Sequence, residues 1–298
     1  MTYPESQKDC ASLERNEGSV SLLSNVARSV TRSPASQGAT LAQVIALANQ
    51  KGGVAKTTTT LNLAVALKEV GHEVLVVDLD PQGNLTMSQG MNPDDVERSM
   101  FDVLVHSLPI QEVIQRAEID VAVSSIDLAG AELALSSMIG RERALQKALL
   151  PVRSAYDYIL IDTPPSLGLL TINALTAADG VIVPVQCEYL SLRGLVQLEA
   201  TLSMIRENLN PIVEIRGILP TMFDARTVHA REAIEMLQEN FGDLVFDTRI
   251  RKTVRYAEAP VQGSSVLKYE PKGQAADAYR QLAKEVLNGA KPRTRQHA

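Results

Sequence analysis

The chain has 298 residues, 45% of them hydrophobic, which suffices for the core of one large α/β domain or two small ones. A formal net charge of −6 and a pI near 5.4 exclude a protein coated in basic surface, so nucleic-acid binding must come from a local patch. The two cysteines, Cys10 and Cys187, lack metal-ligand spacing and read as free thiols of a reducing cytosol.

The N-terminus has no positive region followed by an apolar one, and no run reaches the length of a membrane span, so a cytoplasmic protein is expected. Residues 1–40 are rich in Ser, Asn, Gln and Thr and read as a flexible polar tail, with a short docking helix around 22–30 as the alternative. From Gln43 the pattern becomes strand, helix, strand, the mark of a parallel sheet. A first strand over 44–48 runs into Lys51-Gly52-Gly53-Val54-Ala55-Lys56-Thr57-Thr58 and a helix over 57–70 that stops at Gly71.

This is the layout of a phosphate-binding loop. Gly52 and Gly53 permit a tight turn that brings backbone N–H groups to an anion, and the helix N-terminus adds its dipole. Lys56 would meet the β- and γ-phosphates, and the Thr57 hydroxyl would ligate Mg²⁺. The strict expression G-x-x-x-x-G-K-[ST] fails, with Gln50 and Ala55 in place of its two glycines. A glycine-rich turn with two solvated lysines is the alternative.

The second lysine, Lys51, makes the loop resemble the deviant Walker A pattern K-G-G-x-x-K-T-T of the ParA, MinD and nitrogenase-iron-protein ATPases. A buried strand over 73–80 then delivers Asp78 and Asp80 to its C-terminal end, where ligands of open α/β sheets collect. On their own these two could be turn-forming aspartates before Pro81. The continuation Asp78-Leu79-Asp80-Pro81-Gln82-Gly83-Asn84 resembles the ParA branch, however. The resemblance implies that Lys51 reaches across a dimer interface to the partner's nucleotide, that Asp80 positions the attacking water, and that Asp78 lies near the Mg²⁺ shell.

Residues 90–118 read as short helices, 119–124 as a strand, and 126 to beyond 149 as one amphipathic helix. Tyr158-Ile159-Leu160-Ile161-Asp162 is an apolar strand ending in a carboxylate, the Walker B arrangement, in which Asp162 would hold Mg²⁺ through water. Pro164 and Pro165 stop that strand and would wall the γ-phosphate. A strand over 180–185 leads to Glu188 and Arg193, either a solvated turn or, by resemblance, part of the dimer face.

After a helix over 195–209 and a strand over 213–219 come Asp224-Ala225-Arg226-Thr227 and the run Arg249 to Pro260, both similar to ParA segments. Arg251 and Thr253 stand where relatives carry proline and asparagine beside adenine, so ATP as the nucleotide is implied by the family alone. Arg249, Arg251, Lys252 and Arg255, on a loop or strand end, and Arg226 are the DNA-binding candidates, the resemblance pointing to Arg226 and Arg255. The alternative is a surface whose arginines pair with Glu258, Asp247 or Glu232. Scarce aromatics, 4%, exclude a stacking platform for single strands and leave backbone contacts to duplex DNA without sequence reading. A last helix over 274–287 precedes the basic tail 291–298.

The expected architecture is a P-loop NTPase-like α/β domain over 41–290, a mostly parallel sheet with helices on both faces. The expected protein is a ParA/Soj-like partition ATPase using ATP and Mg²⁺. The resemblance further implies a homodimer when ATP-bound, non-specific DNA binding on the nucleoid, and stimulation by a ParB-like protein. A MinD-like membrane-associated ATPase, a metabolic enzyme of the same fold such as an amide-forming ligase, and a non-hydrolysing binding module are the rivals.

Overall fold

The protein's structure, a computed structural model, describes residues 41–188 and 191–289, and only the backbone of 191–193. The expectations for residues 1–40, including Cys10, for the 291–298 tail and for the Arg193 side chain lie outside the described residues. Among the described residues seven strands form one sheet: β1 Gln43–Leu47, β2 Val74–Asp78, β3 Ile114–Arg116, β4 Asp120–Ala122, β5 Tyr158–Asp162, β6 Gly180–Gln186 and β7 Glu214–Thr221. Their spatial order is β3-β4-β2-β5-β1-β6-β7. All neighbours are parallel except the edge pair β3 and β4.

The central strands β1, β2, β5 and β6 are largely apolar because both faces are covered. In β1 and β2, Val44, Ala46, Leu75 and Val77 join one core, while Ile45, Leu47, Val74 and Val76 join the other. The first core is closed by α3 Met100–Val105, α4 Ala131–Ser136, α5 Ala144–Leu149, α6 Leu169–Ala177 and α7 Ser191–Asn208. The second is closed by α1 Lys56–Glu69, α10 Val266–Tyr269 and α11 Gln274–Asn288. The short α2 Asn84–Met87 follows β2, α8 Val228–Phe241 follows β7, and α9 is Arg255–Val261. Cys187 packs with Phe223, Ala230, Ala233 and Ile234 in a small third cluster, and burial pushes its thiol up to about 11, an unreactive thiol.

Three expectations need correction. The single helix expected from 126 past 149 is divided into a 3₁₀ turn over Ile126–Gly130, α4, a second 3₁₀ turn over Arg141–Arg143, and α5. Gly140 adopts a φ of 71°, outside the helical region, and the Asn173 side chain on α6 fixes the break by accepting from Leu145 N (3.1 Å) and donating to the Arg141 carbonyl (2.8 Å). The antiparallel strand β3, mostly exposed, lies where only short helices were expected. Arg255 is not on a loop or strand end: the chain is extended up to Arg251, which bridges Phe223, and Arg255 opens α9.

Candidate active site

Strand order decides which residues meet. β5 lies between β1 and β2, and the register places Asp162 opposite both Leu47 and Asp78. The two carboxylates therefore share the C-terminal edge with the loop leaving β1. That loop is tied down at its base. Asn49 donates to the Pro184 carbonyl (2.7 Å) and accepts from Lys51 N (3.0 Å), Thr163 donates to the Leu47 carbonyl (2.7 Å), and Thr221 donates to the Val54 carbonyl (3.1 Å). The buried Lys56 Nζ closes the loop on the Lys51 carbonyl (3.3 Å).

Gly53 and Ala55 both have positive φ, 71° and 67°, the latter where helix α1 begins. For an alanine this left-handed conformation costs on the order of 1 kcal/mol. Ala55→Gly is expected to raise unfolding stability by roughly 0.5–1 kcal/mol, the gain being reduced by the greater freedom of glycine in the unfolded chain. Urea unfolding of the two forms checks this; an unchanged or lowered midpoint would show the alanine to be accommodated without strain.

Two carboxylates and one lysine are buried together at this edge. Asp78 is fully buried; it accepts from Asp80 N (3.1 Å), Thr86 N (2.9 Å) and Thr86 Oγ1 (2.8 Å), and burial still raises it to about 6. Burial first, and the Asp78 charge second, also raise Asp162, against hydrogen bonds from Thr57 and from Thr60 Oγ1 (3.3 Å). Burial lowers Lys56, opposed by Asp162 and Asp80. The second oxygen of Asp162, Oδ2, is buried without a hydrogen-bond partner. Asp78 has its oxygens engaged by Thr86 and the Asp80 amide, so Asp162 offers the open position.

A cavity of about 620 Å³ opens over this edge, lined by Gly52, Gly53, Ala55, Lys56, Thr57, Thr58 and Asp80 from the expected set, and by Pro165. Asn62, Met222, Tyr256, Pro260 and Val261 line it as well, and sequence reasoning had not placed them in the site. Met222, with a φ of 52°, carries a backbone signal that only the structure reveals. Arg251 and Thr253, expected beside the base, instead line a neighbouring concavity of about 730 Å³ with Arg249, Lys252 and Arg255.

Lys51 stands outside the cavity, half-exposed, donating to Glu188 (2.7 Å) and Gln186 (2.8 Å). The basic residues are also engaged. Arg226 pairs with Asp224 (2.7 Å), pulling that carboxyl down to about 2; Arg255 pairs with Glu258 (2.6 Å) and Glu270 (3.3 Å); Arg249 stacks over Phe223 at 5.2 Å. These exposed pairs are weak.

A family model described as an AAA domain matches residues 42–215. The chain is 47% identical to the sporulation initiation inhibitor protein Soj of Bacillus subtilis, over 83% of this chain and 98% of that one. It is 42% identical to the chromosome partitioning protein ParA of Caulobacter vibrioides, over 84% and 96%. A crystal structure described as cobyrinic acid a,c-diamide synthase from Mycobacterium smegmatis, with bound ADP and magnesium, superposes with a TM-score of 0.74 at 41% identity, covering 83% of this chain and 95% of that one. With a phosphate loop, a strand-end aspartate pair and this extent of identity, the chain belongs to the ParA/Soj family of P-loop ATPases.

Proposed function

We propose that this protein is a DNA-partition ATPase whose ATP-bound dimer binds duplex DNA without sequence preference and lets go on hydrolysis. The observation that supports this most is the pairing of a complete hydrolytic edge, Lys56, Asp80 and the open Asp162 Oδ2, with a second lysine, Lys51, presented on the surface. Among the described residues no cluster of three acid, histidine or cysteine side chains would hold a metal unaided. The buried Asp162 Oδ2, without a hydrogen-bond partner, fits Mg²⁺, which is usually bound by one or two protein oxygens plus substrate phosphates. Thr57 and Asp162 would hold it, and when bound it would neutralise charge on the β- and γ-phosphate oxygens.

The residues divide the work. The backbone of 52–57 and Lys56 hold the β- and γ-phosphates, and Pro165 keeps bulk water from one side of the cavity. Asp80 orients a water in line with the γ-phosphorus; the new P–O bond forms as the bond to the β-phosphate oxygen breaks, and the water's proton ends on phosphate. Lys51 would leave Glu188 and Gln186 to meet the partner subunit's nucleotide, adding positive charge where negative charge develops.

The concavity holding Arg249, Arg251, Lys252 and Arg255 is the DNA face in this reading, with Arg226 nearby: the Asp224 carboxylate that Arg226 grips also feels Lys252. If each subunit neutralises two phosphates, the salt slope is about −2 for a monomer and about −4 for a dimer, so dimerisation switches binding on at cellular salt. Nucleoid association and stimulation by a ParB-like partner follow from the same reading. Among the described residues no helix is long and apolar enough to cross a membrane.

The test is binding to a random-sequence duplex with ADP, ATP or a slowly hydrolysed analogue at two salt concentrations. Binding confined to the ATP states is expected, and Arg255→Ala should weaken it roughly 10-fold or more and flatten the salt slope. Equal binding in every nucleotide state would remove the switch. The amide-ligase name of the 41% identical structure favours one second reading, in which ATP activates a carboxylate. Phosphate release that needs an added carboxylate and amide donor, and ignores DNA, would establish that reading instead.

A further inference from the structure

The nucleotide cavity and the basic concavity share a wall. α9 presents Ala257, Ala259, Pro260 and Val261 to the first, while Arg255, its first residue, lines the second. Among the described residues, Tyr256 lines both. Its ring meets Tyr279 edge-on, with centroids 5.9 Å apart and planes at 79°, a favourable aromatic geometry. Tyr279 on α11 is fully buried, and its hydroxyl lies 3.4 Å from Thr59 Oγ1 on α1, three residues beyond Lys56.

The helix that begins at the phosphate loop is thus packed, through two aromatic rings, to the residue next to Arg255. Close-packed interiors do not deform smoothly, so a shift of α1 or of the cavity wall on filling the site must be taken up by this stack or passed along it. α9 is short, and Ser265 and Val266, after it, are fixed by Glu118 (2.8 Å to Ser265 N) and Asn62 (2.8 Å to Val266 N). Asn62 itself lines the nucleotide cavity. Both ends of the wall are therefore tied to the site, and Tyr256 is the tie nearest the arginine.

We infer that Tyr256 is a positioning residue that transmits nucleotide occupancy from the phosphate site to the orientation of the basic face. This rests on the DNA-partition reading above and adds to it the residue through which the switch acts. No hydrogen bond of the Tyr256 hydroxyl is part of the stack, so the ring and not the hydroxyl carries the effect. Phenylalanine should substitute for it; alanine should not.

The experiment compares the full-length wild type with Tyr256→Ala, Tyr256→Leu and Tyr256→Phe. Three quantities are read: affinity for a fluorescent ATP analogue, affinity for a random-sequence duplex with ADP and with a slowly hydrolysed ATP analogue, and hydrogen exchange of the α9 amides on adding that analogue. In Tyr256→Ala and Tyr256→Leu the ratio of the two DNA affinities should collapse by about 10-fold or more, within the usual range of coupling between sites. Because Tyr256 lines the nucleotide cavity, the analogue affinity of each variant sets the concentration that saturates it, and the DNA affinities are compared at saturation; the α9 exchange response should vanish. Tyr256→Phe should behave as wild type. A wild-type ratio retained in Tyr256→Leu, which keeps apolar bulk should the alanine form fail to fold, would overturn the inference while leaving the DNA switch standing. A wild type with no nucleotide-dependent DNA binding would overturn the partition reading, and an α9 exchange response unchanged by Tyr256→Leu would then overturn the inference as well.

Discussion

Asp162→Asn is expected to make the nucleotide-free protein more stable while removing Mg²⁺-dependent ATP turnover. Asp162 and Asp78 are both fully buried on neighbouring strand ends, and each is held above the ordinary carboxylate range, chiefly by loss of hydration. A carboxyl raised in the folded state contributes stability that is complete below its unfolded pKa and is lost as pH rises through its folded one. For Asp78, raised from 3.8 to about 6, that loss is on the order of 3 kcal/mol and falls between about pH 4 and 6. For Asp162 the loss extends to higher pH.

Asparagine keeps Oδ1 as acceptor for Thr60 and removes a charge beside Asp78. A gain of roughly 2 kcal/mol, or about 4–8 °C in melting temperature for a domain of this size, is expected at pH 8, and little at pH 5. Turnover should fall roughly 100-fold or more, since the open carboxylate oxygen is lost. Melting curves at both pH values with and without Mg²⁺, beside a phosphate-release assay, check this. A variant less stable at pH 8, or one that still hydrolyses ATP, would show that Asp162 is a structural acid. The same charges predict that Mg²⁺ binding in the presence of nucleotide releases protons and tightens from pH 6 to 8.

Asp80→Asn and Asp80→Ala should each lower turnover roughly 100- to 1,000-fold with ATP affinity nearly unchanged. Asp80 is buried at the cavity floor; one carboxylate oxygen accepts from Gln82 N (3.0 Å), and its carbonyl accepts from Ser124 Oγ (2.9 Å) and Gly83 N (2.8 Å). It therefore shapes a turn as well as facing the site, so alanine alone would confuse the two roles. Asparagine can still accept from Gln82 N but is a poor partner for a water proton. Equal losses in both variants, with DNA binding that persists in ATP, assign it to the water. Turnover preserved in Asp80→Asn and lost in Asp80→Ala would return it to the turn, and Lys56→Ala, which removes the buried ammonium of the phosphate loop, supplies the expected baseline of an inactive site.

Much of the fold was legible because the strands are apolar on both faces. Runs such as Val74–Asp78 and Tyr158–Asp162 cannot lie at a surface, and their ends name the sheet edge at which carboxylates collect. The phosphate loop was legible because its chemistry is local: consecutive backbone amides, one lysine and one threonine need no distant partner. Helix boundaries failed where a distant residue set them, as at Gly140, where Asn173 on α6 takes up the broken helix end. The α9 start at Arg255 likewise hid within a run of basic residues whose sequence resembles an extended segment.

The amino-acid sequence by itself determined the two-sided sheet, the phosphate loop, the strand-end acids and the family, since each depends on spacing along a few residues. Tertiary structure alone decided that Asp162, and not Asp78, keeps an open oxygen, that Lys51 rests on Glu188, and that Tyr256 joins two cavities. Those facts turn on which residues, dozens of positions apart, are brought within a few ångströms when β5 inserts between β1 and β2 and α9 closes over the site. Local propensity carries no record of such meetings, because they are fixed by strand order and by packing between elements.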